Sequence, residues 1–559
     1  MLKQLFGWID QHHWAYWIPA YAGLVAIVAM AIWAGGKSGR ERPWLWCLAL
    51  FGFILLWRWP FLFTADEFNP DEPQLIAGAL TLWLKDPVFG RAVDGTTSGP
   101  LNFYALWYAR LLGLPIDFFS ARLLVIALSA GAVFAASQAL RLFTGPRLAR
   151  IAVLPAACFF AFNTERQFIH YASEYVSLFL VAVGFGQLLA AVESTRRDAM
   201  GPWARAGFLL GLAPWAKFQA VPIVVPLLLW GFWQAIRRRE QAGSDPAAFN
   251  WQRVRVLFIG AIAPSAAVAI AVAAFDLWVP LHVGYIQYGK YYLQTGGGYS
   301  PWDLLAIQWG QVRGVPLVHS LLWGLCAVLL AAVICWVVNR TRPRRHFWAA
   351  LIFFGGSLVA VLAPQRPFMH YVLYVIVPAT LVAGMAGGVA WRAAVNKSRG
   401  LLMMLRVALA APIIVLLGAQ LTFPGPFMLG RLQQHWREPR TALGRALRPV
   451  VKPGEPIAVW GWRARAYLEN GNVQATRCAH SERMILDSPL RDYHRDRYLR
   501  DFAASAPRVF VDATGPGVFA YEDRARFGHE TFPALRELIS RDFEFLCDVG
   551  DARVYVHRR

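Results

Sequence analysis

Apolar runs of membrane length recur along this 559-residue chain and constrain its fold more than any other feature. Most of them are roughly 17–23 residues long, which is enough for a helix to cross a bilayer. Only 16% of the residues are charged, against about a quarter in a soluble domain. The sequence therefore predicts a polytopic α-helical membrane protein with about 12 transmembrane helices. The predicted spans are 14–34, 44–63, 120–141, 150–166, 173–192, 206–219, 220–236, 254–276, 316–338, 347–364, 370–391 and 401–423.

The distribution of basic residues predicts which loops face the cytoplasm. Six loops hold 21 of the 33 Lys and Arg residues before position 424, and they alternate with loops that hold fewer. Such an excess is typical of cytoplasmic loops, so the net charge of +21 indicates membrane orientation and not nucleic-acid binding. We expect a bacterial inner-membrane protein whose loop 64–119 faces outward, which requires that 99–114 does not span. The basic loops are 37–42, 141–150, 196–205, 237–255, 340–345 and 392–399.

The end of the chain has a different composition and predicts a soluble domain. Residues 424–559 carry 22 Lys and Arg against 17 Asp and Glu. PIAVWGW and RVFVDAT indicate buried strands, FPALRELISRD an amphipathic helix, and FEFLCDVGDARVYVHR a hairpin with a Gly-Asp turn. We expect a small α/β domain on the periplasmic side. There, an oxidising compartment would allow Cys478 and Cys547 to pair as a disulfide. No Cys/His spacing indicates a zinc site.

The most acidic stretch before position 424 lies in loop 64–119, where Asp66, Glu67, Asp71 and Glu72 fall within seven residues. Carboxylates at a membrane surface are costly to place without a function. One interpretation is purely structural: Asn69 caps a helix that begins at Pro70, and Glu72 completes a capping box. The other is that the same helix start holds Asp71 at the boundary of water and lipid as a general base.

Further charged residues fall at the predicted outer ends of spans. Each has an ordinary explanation, such as a solvated ion pair, a helix-start charge, a packing histidine or an interfacial anchor. Together they bring carboxylates and cations to one side of the membrane. A carboxylate can accept a proton from a hydroxyl, and a cation can stabilise charge on a phosphate leaving group. These residues are Glu165, Arg166, His170 and Glu174 in TERQFIHYASEY, Lys217 in a short proline-flanked span, and Arg366 and His370 in PQRPFMHY.

Over most of 44–391 the chain resembles the C-type glycosyltransferases (GT-C), in particular the protein O-mannosyltransferase and lipid A aminoarabinose transferase group. The resemblance rests on DEPQLIAGALTLWL, SGPLNFYALWYARLLG, TERQFIHYASEYVSLFL, GLAPWAKFQAVPIVVP and RPFMHYVLYVIVPATLVAG. It implies catalytic roles for Asp71, Glu72 and Glu174, with Asp71 as the base. It also implies donor-phosphate binding by Lys217, Arg366 and His370. Substrate binding is expected from Tyr371, Asn102, Tyr104 and His170.

The chain departs from that group in two motifs. Ser98-Gly99-Pro100-Leu101 stands where the aminoarabinose transferases have Lys-Pro-Pro-Leu, and Ala216-Lys217-Phe218 stands where the group has Thr-Lys-Gly. The sequence therefore does not assign aminoarabinose as the sugar. Three regions are expected: 1–43 with an additional span and a cytoplasmic loop, 44–423 as the GT-C-like catalytic domain, and 424–559 as the periplasmic domain.

The resemblance implies a glycosyltransferase that moves a single sugar from a polyprenyl-phosphate donor to an acceptor hydroxyl, with inversion. The acceptor would be lipid A, a polysaccharide or a protein on the periplasmic side. Three alternatives stay open: a ligase using a polyprenyl-diphosphate glycan, a transporter or flippase of polyprenyl-linked sugars, and a non-catalytic assembly partner. A divalent cation is a possible cofactor, although none is predicted as required and no residues are assigned to a metal.

Overall fold

The structure is a computed structural model that describes residues 2–33, 42–64, 66–194, 200–237, 246–395, 397–422 and 440–558, with side chains from 251 onward in the fifth range. The predicted domain start at 424 and parts of the basic loops 37–42, 196–205, 237–255 and 392–399 lie outside these residues. Ten described helices are long and apolar enough to cross a membrane. They are Trp14–Ile32, Pro43–Leu62, Phe118–Thr144, Glu174–Glu193, Phe218–Ile236, Trp251–Ala274, Pro316–Val338, Arg345–Leu362, Met369–Ala394 and Arg399–Thr422.

Two further predicted spans form shorter helices. Pro146–Phe162 has 17 residues, and Met200–Leu212 has 13. The second continues as a 3₁₀ turn, Ala213–Trp215, and the chain then extends at Lys217 before the next helix begins. Broken helices at membrane depth usually line a cavity, and this break places Lys217 in the protein interior. The polytopic helical fold is thus confirmed.

Helix Met369–Ala394 is the centre of the helical bundle. In its most apolar 18-residue window, 94% of the residues are buried, more than in any other candidate span. It packs against Phe118–Thr144, Pro146–Phe162, Pro316–Val338 and Arg345–Leu362. Because its neighbours surround it, side chains at its first turn are held in place from several directions.

Loop 64–119 forms three helices, Asp71–Leu84, Pro100–Tyr104 and Trp107–Leu111. Segment 99–114 therefore does not span, as predicted. The predicted capping box is wrong. The helix begins at Asp71, whose N–H donates to Asn69 Oδ1 over 2.9 Å, and the Glu72 carboxylate bonds elsewhere. Glu72 binds the buried guanidinium of Arg122 in preference to a main-chain N–H at the helix start.

The C-terminal domain, residues 440–558, contains one five-stranded sheet of order β2-β1-β3-β5-β4. Its strands are β1 (Pro456–Gly461), β2 (Val473–Gln474), β3 (Val509–Ala513), β4 (Phe543–Val549) and β5 (Ala552–His557). β1 is parallel to both β2 and β3, whereas β5 is antiparallel to β3 and β4. The predicted strands, the hairpin and helix Pro533–Asp542 are confirmed. The longest helix of the domain is Arg491–Ser505, and shorter ones are Ala442–Leu447, Arg465–Glu469, Glu482–Ile485 and Arg524–Phe527.

The predicted Cys478–Cys547 disulfide is wrong, since both cysteines are free. Cys478 packs with Trp460 and Phe510 in one apolar cluster of the domain. Cys547 borders another cluster, built on Val459 and Val511. Neighbouring residues of one strand point to opposite faces of a sheet, so the two thiols lie on opposite sides of it.

The C-terminal domain contacts loop 64–119 along the Asp71 helix. Gln474 of β2 donates its N–H to Thr81 Oγ1 over 3.0 Å, and Lys85 Nζ donates to the Gln474 oxygen over 3.0 Å. Asp94 forms ion pairs with Arg483 and Arg497 at 2.9 and 2.7 Å. Helix Leu2–Gln11 precedes the first span. Between spans lie Arg166–Ile169, Trp278–Leu281, a π-helical turn at His282–Gln287, Tyr288–Gln294 and Pro301–Gly314.

Candidate active site

Asp71 stands at the first turn of its helix, with a side chain that is partly exposed. Burial of the carboxyl group raises its pKa, and the Lys217 ammonium opposes this without cancelling it, so the net shift is upward. A carboxylate with a raised pKa is a stronger base than an ordinary one.

Glu72 points away from Asp71 into the protein. Its two oxygens accept bonds from Arg122 Nε and Nη2 at 3.0 and 2.7 Å, and the first also accepts the N–H of Tyr171 at 3.1 Å. Both partners of the ion pair are at most 1% exposed. Glu72 therefore fixes the start of the Asp71 helix to helix Phe118–Thr144, which fits a positioning function.

Glu174 and Lys217 form a second buried ion pair. Lys217 Nζ also donates to Ser173 Oγ at 2.7 Å and lies 5.2 Å from the centre of the Tyr371 ring. An ammonium group has three donors, and these contacts use two. Within the described part of the chain, the third is available for a phosphate oxygen.

His370 approaches Glu174 from the central helix, with Nε2 at 3.8 Å from Oε1. Its Nδ1 lies 2.9 Å from Gln167 Oε1, which also accepts from Asn69 Nδ2 at 3.4 Å. A carbonyl oxygen only accepts, so His370 Nδ1 carries a proton. Gln167 thus connects His370 to the turn that precedes Asp71. His170 packs beside His370, with ring centres 5.8 Å apart.

Arg366 is another cation close to this group. Its guanidinium lies over the Tyr292 ring, 4.2 Å from the centre, and among the described residues its buried Nε has no hydrogen-bond partner. The Tyr292 hydroxyl is 3.1 Å from that of Tyr371. Burial raises the pKa of Tyr292 to about 12. Tyr292 therefore connects Arg366 with Tyr371.

Two residues predicted to bind substrate contact the protein framework in this structure. Asn102 is fully buried, and its Nδ2 donates to the Ala216 oxygen at 2.6 Å, beside Lys217. Tyr104 donates to the Pro87 oxygen at 2.8 Å and lines an apolar cavity of about 370 Å³ with Trp215 and Phe275. The structure therefore brings Asp71, Glu174, Lys217, His370, Tyr371, Arg366 and His170 together, and leaves Glu72, Asn102 and Tyr104 around them.

Sequence reasoning missed Arg122, Gln167 and Tyr292. Arg122 had a usable signal, because a lone arginine in an apolar span requires a buried acid as its partner. Gln167 and Tyr292 carried none, since neither residue type is unusual at a membrane boundary. One cluster of possible metal ligands occurs in the described residues: Asp512, His529 and Glu530 in the C-terminal domain. His529 Nδ1 already bonds Asp512 there at 2.6 Å.

No protein-family model and no curated protein matches the chain. Solved structures do. ArnT from Cupriavidus metallidurans bound to undecaprenyl phosphate matches with a TM-score of 0.54 and 12% identity over 91% of this chain and 97% of that one. The apo structure of ArnT gives 0.50 and 14% over the same shares. The chain has a GT-C-like fold. The Archaeoglobus fulgidus oligosaccharyltransferase matches with a TM-score of 0.46 and 12% identity, over 84% of this chain and 70% of that one.

The chain has an ArnT-like fold with two parts: a multi-pass helical membrane region and, after it, a small sheet domain. At 12–14% identity the likeness concerns the fold and not the reaction. The GT-C-like architecture confirms the fold that the motifs around Asp71 implied.

Proposed function

We propose that the chain is a glycosyltransferase that moves a single sugar from a polyprenyl-phosphate donor to an acceptor hydroxyl, with inversion. The observation that carries the proposal is the buried Glu174–Lys217 ion pair with His370 Nε2 at 3.8 Å from the same carboxylate, linked through Gln167 and Asn69 to the start of the Asp71 helix. A base and cations that can bind a phosphate, held close together, are what this transfer needs. The ArnT structure with undecaprenyl phosphate supports a lipid phosphate as the donor.

In the proposed reaction Asp71 takes the proton of the acceptor hydroxyl. The acceptor oxygen then forms a bond to the anomeric carbon as the bond from that carbon to the phosphate oxygen breaks. The phosphate leaves with the electron pair, and its charge is stabilised by Lys217 and Arg366. A single displacement of this kind inverts the anomeric centre.

The other site residues hold this arrangement. Glu72, fully buried against Arg122, fixes the Asp71 helix. Glu174 orients Lys217 through their ion pair. His370 bonds Gln167 through Nδ1 and directs Nε2 toward Glu174. Asn102, Tyr104, His170 and Tyr371 are proposed to shape the substrate site, directly or through the contacts described above.

We further propose that the Asp71 side of the membrane is the periplasmic side of a bacterial inner membrane. The basic loops would then be cytoplasmic. A reporter that is active only outside the cytoplasm should work when fused after Gly297 and fail after Arg344. Activity after Arg344 would contradict this orientation.

The reaction is tested by mass spectrometry of envelope glycans, lipid A and glycoproteins from a deletion strain complemented with variants. Deletion should remove one sugar from one class of molecule. Asp71→Asn should reduce transfer about 10²–10⁴-fold, the usual contribution of a positioned base. The helix start should survive, because Asn69 bonds the main-chain N–H of residue 71 and not its side chain.

Asp66→Asn is the matched control, a carboxylate five positions earlier in the same loop and outside the helix. It should keep most of the transfer. A fully active Asp71→Asn protein would remove Asp71 from the reaction, and Glu174 would be the next candidate for the base.

A further inference from the structure

The C-terminal domain presents a ligand-binding edge to Asp71. β1 lies between β2 and β3 and is parallel to both. The chain therefore passes from β1 to β2 on one side of it and then crosses to β3 on the other side. In open sheets of this kind, ligands bind outside the carboxyl ends of the strands at the point where the strand order reverses. Here that point lies between the ends of β1 and β3, at Trp462 and Thr514.

This edge of the domain faces the base. Trp462, the first residue after β1, donates Nε1–H to the main-chain oxygen of Pro70 at 3.4 Å, one residue before Asp71. One ring face of Trp462 stacks on His480 with centres 4.1 Å apart and planes 8° apart. The edge between β1 and β3 therefore opens beside the helix that carries Asp71.

An exposed aromatic ring is held at the same edge by the loop after β3. Phe519 is 55% exposed and meets Trp462 edge to face at 5.4 Å. The loop is closed at its base by a bond from Gly515 N–H to the Tyr521 oxygen at 2.8 Å. Arg524 donates to the Thr514 oxygen through Nε at 2.8 Å. The Phe519 ring is therefore exposed on a loop whose base is fixed by hydrogen bonds.

An acid completes this edge. Glu482 begins the short helix after His480, and its main-chain N–H donates to His480 Nδ1 at 3.3 Å. Because His480 stacks on Trp462, this bond places the start of the Glu482 helix at the same edge, and burial raises the pKa of the Glu482 carboxyl group while Arg483 opposes the shift. Arg483 itself lies over Tyr288, 3.8 Å from the ring centre.

We infer that Trp462, Phe519 and Glu482 form the acceptor subsite and that they bind a pyranose ring. A pyranose has an apolar face of C–H groups that suits an aromatic ring, and hydroxyls that donate to a carboxylate. The acceptor is therefore a carbohydrate, carried by a polysaccharide or a glycolipid, and not a protein hydroxyl. This inference rests on the proposed sugar transfer.

The test uses the complemented deletion strain, with the full-length chain carrying Phe519→Leu or Glu482→Gln. Each variant should lower the amount of glycosylated product roughly tenfold, because leucine has no ring face and glutamine is a weaker acceptor. Binding of undecaprenyl phosphate to the purified variants, followed by thermal shift, should equal that of the unchanged protein. Phe545→Leu is the control, since Phe545 is 54% exposed on β4, the strand farthest from β2 in the sheet.

Mass spectrometry then locates the new glycosidic bond. A bond to a sugar ring supports the subsite, and the rest of the molecule separates polysaccharide from glycolipid. A bond to serine or threonine, or unchanged product from both variants, would overturn it. Full activity of Phe519→Leu beside an inactive Phe519→Ala would show a lipid contact instead. A deletion strain that lacks no sugar would refute the transfer itself, and this subsite with it.

Discussion

Arg122 binds Glu72 with every hydrogen-bond donor of its guanidinium in use. Nε and Nη2 donate to the carboxylate at 3.0 and 2.7 Å, and Nη2 also reaches the Asp66 oxygen at 2.7 Å. Nη1 donates to the oxygens of Phe61 and Thr64. Five donors thus meet five acceptors, and the Arg122 side chain holds together the chain segment that leads to Asp71.

Arg122→Lys should therefore destabilise the protein strongly although it keeps the charge. Lysine has three donors on one nitrogen, so it cannot reproduce the five bonds that the planar guanidinium makes in different directions. Breaking a buried pair costs about 3–5 kcal/mol. The melting temperature of the purified protein measures the effect. Arg110→Lys, at an exposed arginine of loop 64–119, should change the melting temperature little. Equal melting temperatures of the two variants would contradict the structural role of Arg122.

The raised pKa of Asp71 predicts an acid limit to activity. A base works only when deprotonated, so kcat/KM should fall as the pH drops through a pKa above the usual range of aspartate. A carboxyl whose pKa is raised on folding also costs stability at neutral pH, where it must be charged. Asp71→Asn should therefore keep or raise the melting temperature while transfer falls. Loss of both together would indicate a structural function.

Arg366→Ala should lower kcat/KM by about 10²–10³-fold, which is on the order of 3 kcal/mol of transition-state stabilisation. The reason is the proposed contact to the leaving phosphate, made by a guanidinium that packs on Tyr292. Steady-state kinetics with the natural donor measures it. Arg166→Ala, in the neighbouring hairpin, is the control and should retain most activity. Equal kinetics for the two variants would exclude Arg366 from the donor site.

Asp94→Asn should weaken the contact between loop 64–119 and the C-terminal domain. Burial opposes ionisation of Asp94, but Arg483 and Arg497 outweigh it and hold the pKa of the carboxyl well below its usual range. The stability this provides is present at neutral pH and is lost as the pH falls below about 4.

Removing the Asp94 charge leaves two buried arginines unpaired, at a cost of about 3–5 kcal/mol. The difference in melting temperature from the unchanged protein should be large at pH 7 and shrink in acid. Asp86→Asn, which breaks a pair whose arginine is half exposed, should have a small effect. A neutral Asp94→Asn variant would contradict the structural role of the cluster.

Local patterns predicted much of this structure. The apolar runs correspond to the helices, and alternating residues predicted β1, β3 and the terminal hairpin, because hydrophobic periodicity reports directly on burial. The Asp71 helix and the break at Lys217 followed from proline and asparagine, which act on their own backbone. The C-type glycosyltransferase resemblance then indicated the fold.

The pairings could not be predicted in the same way. The sequence suggests that Glu72 caps its helix, but in the structure Arg122, 50 positions later, donates to its carboxylate. Trp462 approaches Pro70 across 392 positions, and no local pattern encodes such a contact. The predicted disulfide was wrong for a related reason. The positions of two cysteines in the sequence do not determine which face of the sheet each one occupies. Sequence patterns describe single elements, whereas the site is made of contacts between them.

The ion cluster at Asp94 also bears on how this protein is made. Asp94 leaves the ribosome 389 residues before Arg483, the partner that neutralises it. During that interval the Asp71 helix lacks the surface on which it rests, although the membrane segments around it are already inserted. The surroundings of the Asp71 helix are therefore completed only after the C-terminal domain has been synthesised and has folded against loop 64–119. Translation that stops between the last membrane helix and Arg483 would leave Asp94 without either arginine partner.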